Sequence, residues 1–240
     1  MTTGADISRS AARISAMFDD IAPRYDFLNH LLSGGIDRLW RKRAIRSLQL
    51  TGRECVLDLC AGTGDVAIEA QTARPGAARV LGVDFSSAML TLGVEKLRRK
   101  NLDHRIALVR GDASKIPVAA GSVDAVTIAF GIRNVDDRAS ACREMLRVLK
   151  PGGRLAILEF AMPTSPLFRR LYLSYFRHVL PRIGRVISGN ATAYAYLPAS
   201  VDAFEPAAFM KLLRECGFVD VHADPMTFGS VFLYTGRRHS

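Results

Sequence analysis

Four aspartates stand close to points where apolar runs give way to turns: Asp58, Asp65, Asp84 and Asp112. The first two bracket the stretch VLDLCAGTGD, Val56 to Asp65. It reads as a strand, a tight loop and a helix N-terminus. Gly62 and Gly64 take away side chains where a ligand must come close to the backbone, and they admit dihedrals that other residues resist. The helix that begins near Asp65 offers unpaired N–H groups and the positive end of its dipole. This is chemistry for a nucleotide-type ligand. Gly62-x-Gly64-x-x-Ala67 fits the loose dinucleotide fingerprint, and Asp84 follows about 20 residues on, where a carboxylate accepts hydrogen bonds from ribose hydroxyls. Phe85, next to it, joins the same cofactor-binding set.

Those features suit NAD and S-adenosylmethionine equally. Two details separate them. Asp58 lies inside the first strand, where dinucleotide folds carry a plain apolar residue. Gly111-Asp112-Ala113 closes the third strand, so the Asp112 carboxylate can receive an adenine amino group and Ala113 can offer its N–H. An adenosyl ligand without pyrophosphate needs no phosphate cradle, and its sulfonium favours nearby negative charge. Acids at strand ends suit that cation better than a diphosphate.

The elements that position these residues follow from the hydrophobic pattern. Strands are expected at Cys55–Leu59, Arg79–Val83, Ile106–Arg110, Val123–Ala129 and Arg154–Phe160. Helices fall between them at Asp65–Thr72, Ser87–Lys100 and Arg138–Leu149. Such alternation implies right-handed βαβ units and a doubly wound, mostly parallel α/β sheet. Residues 1–50 read as a helical cap, with helices at Ala11–Asp20, Tyr25–Ser33 and Asp37–Ser47. At the other end, a helix Pro206–Cys216 stopped by Gly217 precedes strands Val219–Ala223 and Ser230–Gly236, which should pair antiparallel at one sheet edge. Residues 160–201 form an insertion without any Asp or Glu, with Arg169, Arg170, Arg177, Arg182 and Arg185 among aromatic and aliphatic residues.

The chain has 240 residues, of which 49% are hydrophobic and 23% charged, enough for one α/β domain with a full core. No run is long and apolar enough to span a bilayer. The polar start, MTTGADISRS, lacks the apolar core of a signal peptide. Four cysteines without C-x-x-C spacing suit reduced thiols in the cytosol, and no His/Cys/Asp cluster has the spacing of a metal site. The net charge of +10 predicts attraction to something anionic. An RNA-binding module would account for it, but the chain has no RNP-like strand, zinc knuckle or basic tail, and its cations are dispersed. Nucleic acid is therefore not the expected partner.

The set VLDLCAGTGD, LGVDFSSAML, RGDASKIPV, AFGIRNV and LKPGGRLAILEF resembles a class I S-adenosylmethionine-dependent methyltransferase. The pieces MFDDIAPRYDFLNHLLSGGIDRLWRK, HVLPRIG and YAYLPASV narrow the resemblance to the ubiquinone/menaquinone biosynthesis C-methyltransferases, over nearly the whole chain from Met17. The resemblance implies a Rossmann-like sheet and S-adenosylmethionine as cofactor. It implies cofactor contacts at Asp58, Gly62, Thr63, Gly64, Asp84, Phe85, Asp112 and Ala113, with Ala129 where some members carry a serine. It implies Arg133 and Asn134 as the catalytic pair and Tyr25 as a residue closing over the cofactor. The implied reaction methylates a ring carbon of a reduced prenylated quinone, demethylmenaquinol first, with a ubiquinol precursor or both as the alternative.

A quinol O–H has a phenol-like pKa of about 10, and ionising it makes the ring carbon nucleophilic. A guanidinium stays protonated, so Arg133 would stabilise the quinolate and order a water that takes the ring proton. His30 and His178 are alternative bases. The prenyl tail lives in a bilayer, so the basic, aromatic insertion is expected to touch an anionic membrane surface from the cytosol, at its inner face. The same segment could instead serve a homodimer contact.

Overall fold

The computed structural model describes Asp19, Ala22, Asp26 and His30, and residues 33–163, 165–175 and 200–240. Seven strands form a single sheet in the order β3-β2-β1-β4-β5-β7-β6. Strands β1 (Cys55–Leu59), β2 (Arg79–Asp84), β3 (Ile106–Arg110), β4 (Val123–Ala129) and β5 (Leu149–Phe160) run parallel. The C-terminal hairpin of β6 (Phe218–Met226) and β7 (Val231–Arg238) closes one edge antiparallel, as the turn chemistry predicts. Its return strand β7 inserts beside β5, leaving β6 outermost.

Helices cover both faces because the strands are apolar on both. Along β1, Val56 points to one face and Leu57 and Leu59 to the other, all three fully buried. The first face packs against α1 (Asp37–Ser47), α2 (Asp65–Thr72) and α3 (Ser87–Arg99), through Ile45, Leu48, Ala67 and Leu97. The second packs against α4 (Arg138–Val148) and α6 (Pro206–Glu215), through Met145, Phe209 and Leu213. Each such aliphatic side chain contributes about 1.5–3 kcal/mol on leaving water.

Most elements match the sequence reading within a residue at each end, and the larger differences fall in β5 and the hairpin. β5 begins at Leu149, not Arg154, because Leu149 already pairs with Val123. The register then shifts, so the Lys-Pro-Gly-Gly turn is a bulge within the strand rather than a loop before it. The hairpin strands also run longer, joined by a 3-10 turn at Thr227–Gly229. In the cap, α1 has the expected bounds, and Asp19, Ala22, Asp26 and His30 are helical; most of the two earlier cap helices lies outside the described residues. Within the insertion, Pro166–Ser174 is a helix, α5, and residues 176–199 lie outside the described residues. No helix among the described residues is long and apolar enough to cross a membrane.

Candidate active site

Strand order reverses between β1 and β4, and a crevice opens at the carboxyl ends of the strands there, as it does for ligands in open α/β sheets. The cavity measures about 200 Å³. Its floor is the loop after β1. Cys60, Gly62 and Gly64 all take left-handed dihedrals (φ 53°, 55° and 84°), which folds the chain back over the strand end. A Cβ built on Gly62 would meet nothing within 4 Å, so the loop leaves open space on the side a ligand must enter. Gly64 does not line the cavity; it is the residue from which α2 starts.

Asp84, ending β2, ties two loops together. Its Oδ2 accepts the Gly62 N–H and its Oδ1 the Ser86 N–H, each at 2.8 Å. Burial pushes its carboxyl up from the ordinary range, and the N–H groups of Ser86, Gly62 and Phe85 oppose that rise. Each carboxylate oxygen has a second lone pair, which suits a ribose diol. Phe85 extends the same wall, 39% exposed, with the Arg110 guanidinium 5.5 Å over its ring. At the end of β3, Asp112 and Ala113 line the cavity, and Asp112 Oδ1 accepts both N–H and O–H of Ser114 at 2.8 Å.

Asp58 occupies a different place from its neighbours. It is 1% exposed, lies beneath the loop and does not line the cavity. Among the described residues neither of its oxygens has a hydrogen-bond partner; the Ala67 N–H faces it without bonding geometry. Burial drives its pKa well above the carboxylate range, and the charge of Asp84 adds to the rise. A carboxyl pushed in this direction is a poor source of the negative charge expected of it from sequence.

The sign of its pH effect follows from proton counts. Between the ordinary carboxyl pKa of about 4 and the raised native value, the folded chain holds a proton that the unfolded chain has released. This contribution is complete below about pH 4 and is lost as pH rises, by up to about 1.4 kcal/mol per unit. Asp58→Asn should therefore flatten the pH dependence of urea unfolding between pH 5 and 8 and raise stability at pH 8. Parallel wild-type and variant curves would mean that Asp58 is ionised in the fold.

A charged chain that sequence reading missed joins the cap to the glycine loop. Thr63 Oγ1 donates to Asp26 at 2.6 Å and accepts from Lys96 Nζ at 2.9 Å. Lys96 also meets Asp26 at 2.5 Å and Asp65 at 2.7 Å. Burial alone would raise the Asp65 carboxyl, but Lys96 and Arg41 hold it below its usual range. Arg41 bridges Asp65 (3.3 Å) and Asp37, and Asp37 also receives His30 and Ser33. Asp19 accepts from Ser86 at the N-terminus of α3, where an acid suits the helix dipole. Only the spacing of Asp37 and Arg41, one helical turn apart, was visible in the sequence as a pair.

Beyond β4, the turn Ile132–Asn134 separates the two residues expected to act together. Asn134 lines the cavity, whereas the buried Arg133 is turned to Glu159. Its Nη1 lies 2.5 Å from Glu159 Oε1 and 2.8 Å from the Phe130 carbonyl, which accepts from it. The signal for Glu159 was an acid inside an apolar strand, the same signal that Asp58 gives. Phe130 stacks on Phe160 at 4.4 Å, and Trp40 packs edge-on against both, so an aromatic wall stands at the β4 side of the cavity. Tyr25 and His178 lie outside the described residues.

A doubly wound sheet with a reversed β7, a glycine loop at its crevice and aspartates at the carboxyl ends of β2 and β3 defines a Rossmann-like S-adenosylmethionine-dependent methyltransferase. A solved structure of such a methyltransferase from Aquifex aeolicus has the same fold, with a TM-score of 0.60 at 17% identity over 82% of this chain and 88% of that one. The model of the ubiE/COQ5 methyltransferase family matches residues 7–238, and the chain belongs to that family. It is 51% identical over 223 residues to the ubiquinone/menaquinone biosynthesis C-methyltransferase UbiE of Syntrophotalea carbinolica, covering 92% of each chain. It is 46% identical over 224 residues to the demethylmenaquinone methyltransferase of Deinococcus radiodurans, covering 93% of this chain and 91% of that one. The chain is an S-adenosylmethionine-dependent C-methyltransferase.

Proposed function

We propose that the chain methylates a ring carbon of a reduced prenylated quinone, with demethylmenaquinol converted to menaquinol. The observation that carries this reading is the division of the cavity. Aspartates crowd its β1–β3 side, while Phe130, backed by Phe160 and Trp40, presents an aromatic wall at the β4 side. The first half suits a cationic adenosyl compound and the second a flat apolar ring. One relative is named for both ubiquinone and menaquinone biosynthesis and the other for demethylmenaquinone, so a prenylated quinone is common to both names.

Asp84 would hold the ribose hydroxyls, Asp112 and Ala113 the adenine edge, and Phe85 its face; Gly62 and Thr63 would line the thioether. When bound, S-adenosylmethionine supplies an electrophilic methyl group. Asn134, which lines the cavity, would orient a quinol oxygen or the water that takes the ring proton. Arg133 works from behind as a positioning residue. It holds the turn through Phe130 and Glu159, and that turn carries Asn134 to the cavity. Incubation with S-adenosylmethionine and a short-chain demethylmenaquinol kept reduced should yield the ring-methylated product by mass spectrometry, and the oxidised quinone should yield none. Preferential methylation of a demethylated ubiquinol would assign the other branch. Methyl on oxygen, or on neither quinol, would overturn the reading.

The same reading places the protein at an anionic membrane surface. Leu167 (73% exposed) and Leu171 (61%) project from α5 beside Arg169 and Arg170. Phe228, 74% exposed, sits 4.8 Å from Phe168 and is held at φ 56°, a costly conformation for an aromatic residue. Apolar side chains beside cations suit an interface rich in acidic headgroups. Cosedimentation with phosphatidylglycerol vesicles should fall steeply with salt and fall again in Phe228→Ser. Equal binding to neutral vesicles would remove the electrostatic part of this proposal.

A further inference from the structure

Among the described residues that line the cavity there are six aspartates and a single cation, Arg41. S-adenosylmethionine carries two positive groups, the sulfonium and the α-ammonium, and one negative group, the α-carboxylate. The acids answer the first two. The third needs a donor, and burying it among carboxylates without one would be costly.

Strand order gives the direction of the ligand. Across the crevice stand Asp112 after β3, Asp84 after β2 and the glycine loop after β1. Adenine and ribose take the first two places, so the amino-acid end must lie over the third. Arg41 is the cation at that place. It reaches the loop from α1, 8% exposed, and is held beside Asp65 at the start of α2. Among the described residues both of its ion pairs, to Asp37 and Asp65, use Nη2. A guanidinium carries five N–H donors, so Nη1 and Nε leave capacity for a further carboxylate. Asp37 and Asp65 fix the side chain in place, which lowers the entropy lost on binding.

We propose that Arg41 is the anchor of the cofactor's α-carboxylate. Through α1 the N-terminal region then supplies a positive charge that orients the methionine end. The inference rests on the cofactor reading above, and the experiment separates the two.

Titration calorimetry with two ligands provides the test. S-adenosylhomocysteine carries the amino-acid end; 5′-methylthioadenosine keeps the adenosine and thioether but lacks it. Wild type should bind S-adenosylhomocysteine, and failure to do so would sink the cofactor reading itself. Arg41→Gln should weaken S-adenosylhomocysteine by about 10- to 100-fold, the loss typical of a hydrogen bond to a charged group. Its affinity for 5′-methylthioadenosine should stay within about twofold. Arg41→Lys, which keeps the charge but not the planar fork, should fall between wild type and Arg41→Gln for the first ligand only. Equal weakening of both ligands would reduce Arg41 to a structural tie between cap and loop. Unchanged affinity for both would exclude it from the site. Should Arg41→Gln fail to fold, the same comparison on Arg41→Lys decides, since a selective loss supports the anchor and a parallel or absent loss overturns it.

Discussion

Arg133→Ala is expected to cost about 3–5 kcal/mol of unfolding free energy, the range for removing one partner of a buried ion pair. Glu159 is fully buried, and its carboxylate accepts from Arg133 Nη1 at 2.5 Å, the Arg133 N–H at 3.1 Å and the Phe160 N–H at 2.8 Å. Without the guanidinium, two backbone amides face a buried charge alone. The Arg133 side chain also donates to the Phe130 carbonyl and to Ser200 Oγ, and it covers the Phe160 ring at 5.4 Å. The turn carrying Asn134 therefore loosens. Urea denaturation reads the stability loss, and the double variant Arg133→Ala/Glu159→Gln should recover a substantial part of it, because the stranded charge has gone. Turnover should fall far more than affinity for S-adenosylhomocysteine, since none of these contacts reaches the β1–β3 side of the cavity. A stability loss below about 1 kcal/mol would mean that the pair contributes no more than an exposed one.

Gly131→Ala is expected to be nearly as damaging for a steric reason alone. A Cβ at this position would stand 2.3 Å from Cys60 Cβ and 2.8 Å from Cys60 Sγ. The backbone there is at φ −120°, which alanine adopts freely, so no strain of its own enters. Gly131 and Cys60 follow β4 and β1, the two strands that flank the crevice, and the clash can be relieved only by spreading them. A loss of about 3 kcal/mol, at the upper end for overpacking, corresponds to a fall in Tm of roughly 6–12 °C. Affinity for S-adenosylhomocysteine should drop at least about tenfold. Cys60→Gly in the same chain should rescue both, since it removes the opposing Cβ at a position whose φ of 53° suits glycine. A double variant no better than Gly131→Ala would show that the contact does not set the width of the crevice.

These two sites differ in how far the sequence announced them. Cys60 and Gly131 lie in motifs that stand out as letters, yet their contact depends on β1 and β4 being neighbours, although more than 60 residues separate them in the chain. Arg133 was visible, and its partner was not. Glu159 sits 26 residues on, in a strand that pairs with β4. Arg41 does not stand out in the sequence, because α1 carries five cations and their spacing does not say which one faces the loop.

What the sequence determined alone was local and repetitive. Near-continuous apolar runs mark parallel strands buried on both faces, glycines mark the turn after β1, and acids mark the strand ends; each follows from backbone geometry and the transfer of apolar area from water. From these came the strand alternation, the edge hairpin and the nucleotide-type loop. Only the tertiary structure decided the charge states and pairings. Asp58 and Asp84 look alike as letters, yet one is sealed beneath the loop without a hydrogen-bond partner among the described residues, while the other holds two backbone amides at the cavity wall. Coulomb energies scale inversely with the local dielectric, which depends on what packs around a group after folding. A residue's type fixes its possible charge; its neighbours in space decide whether that charge exists and what it meets.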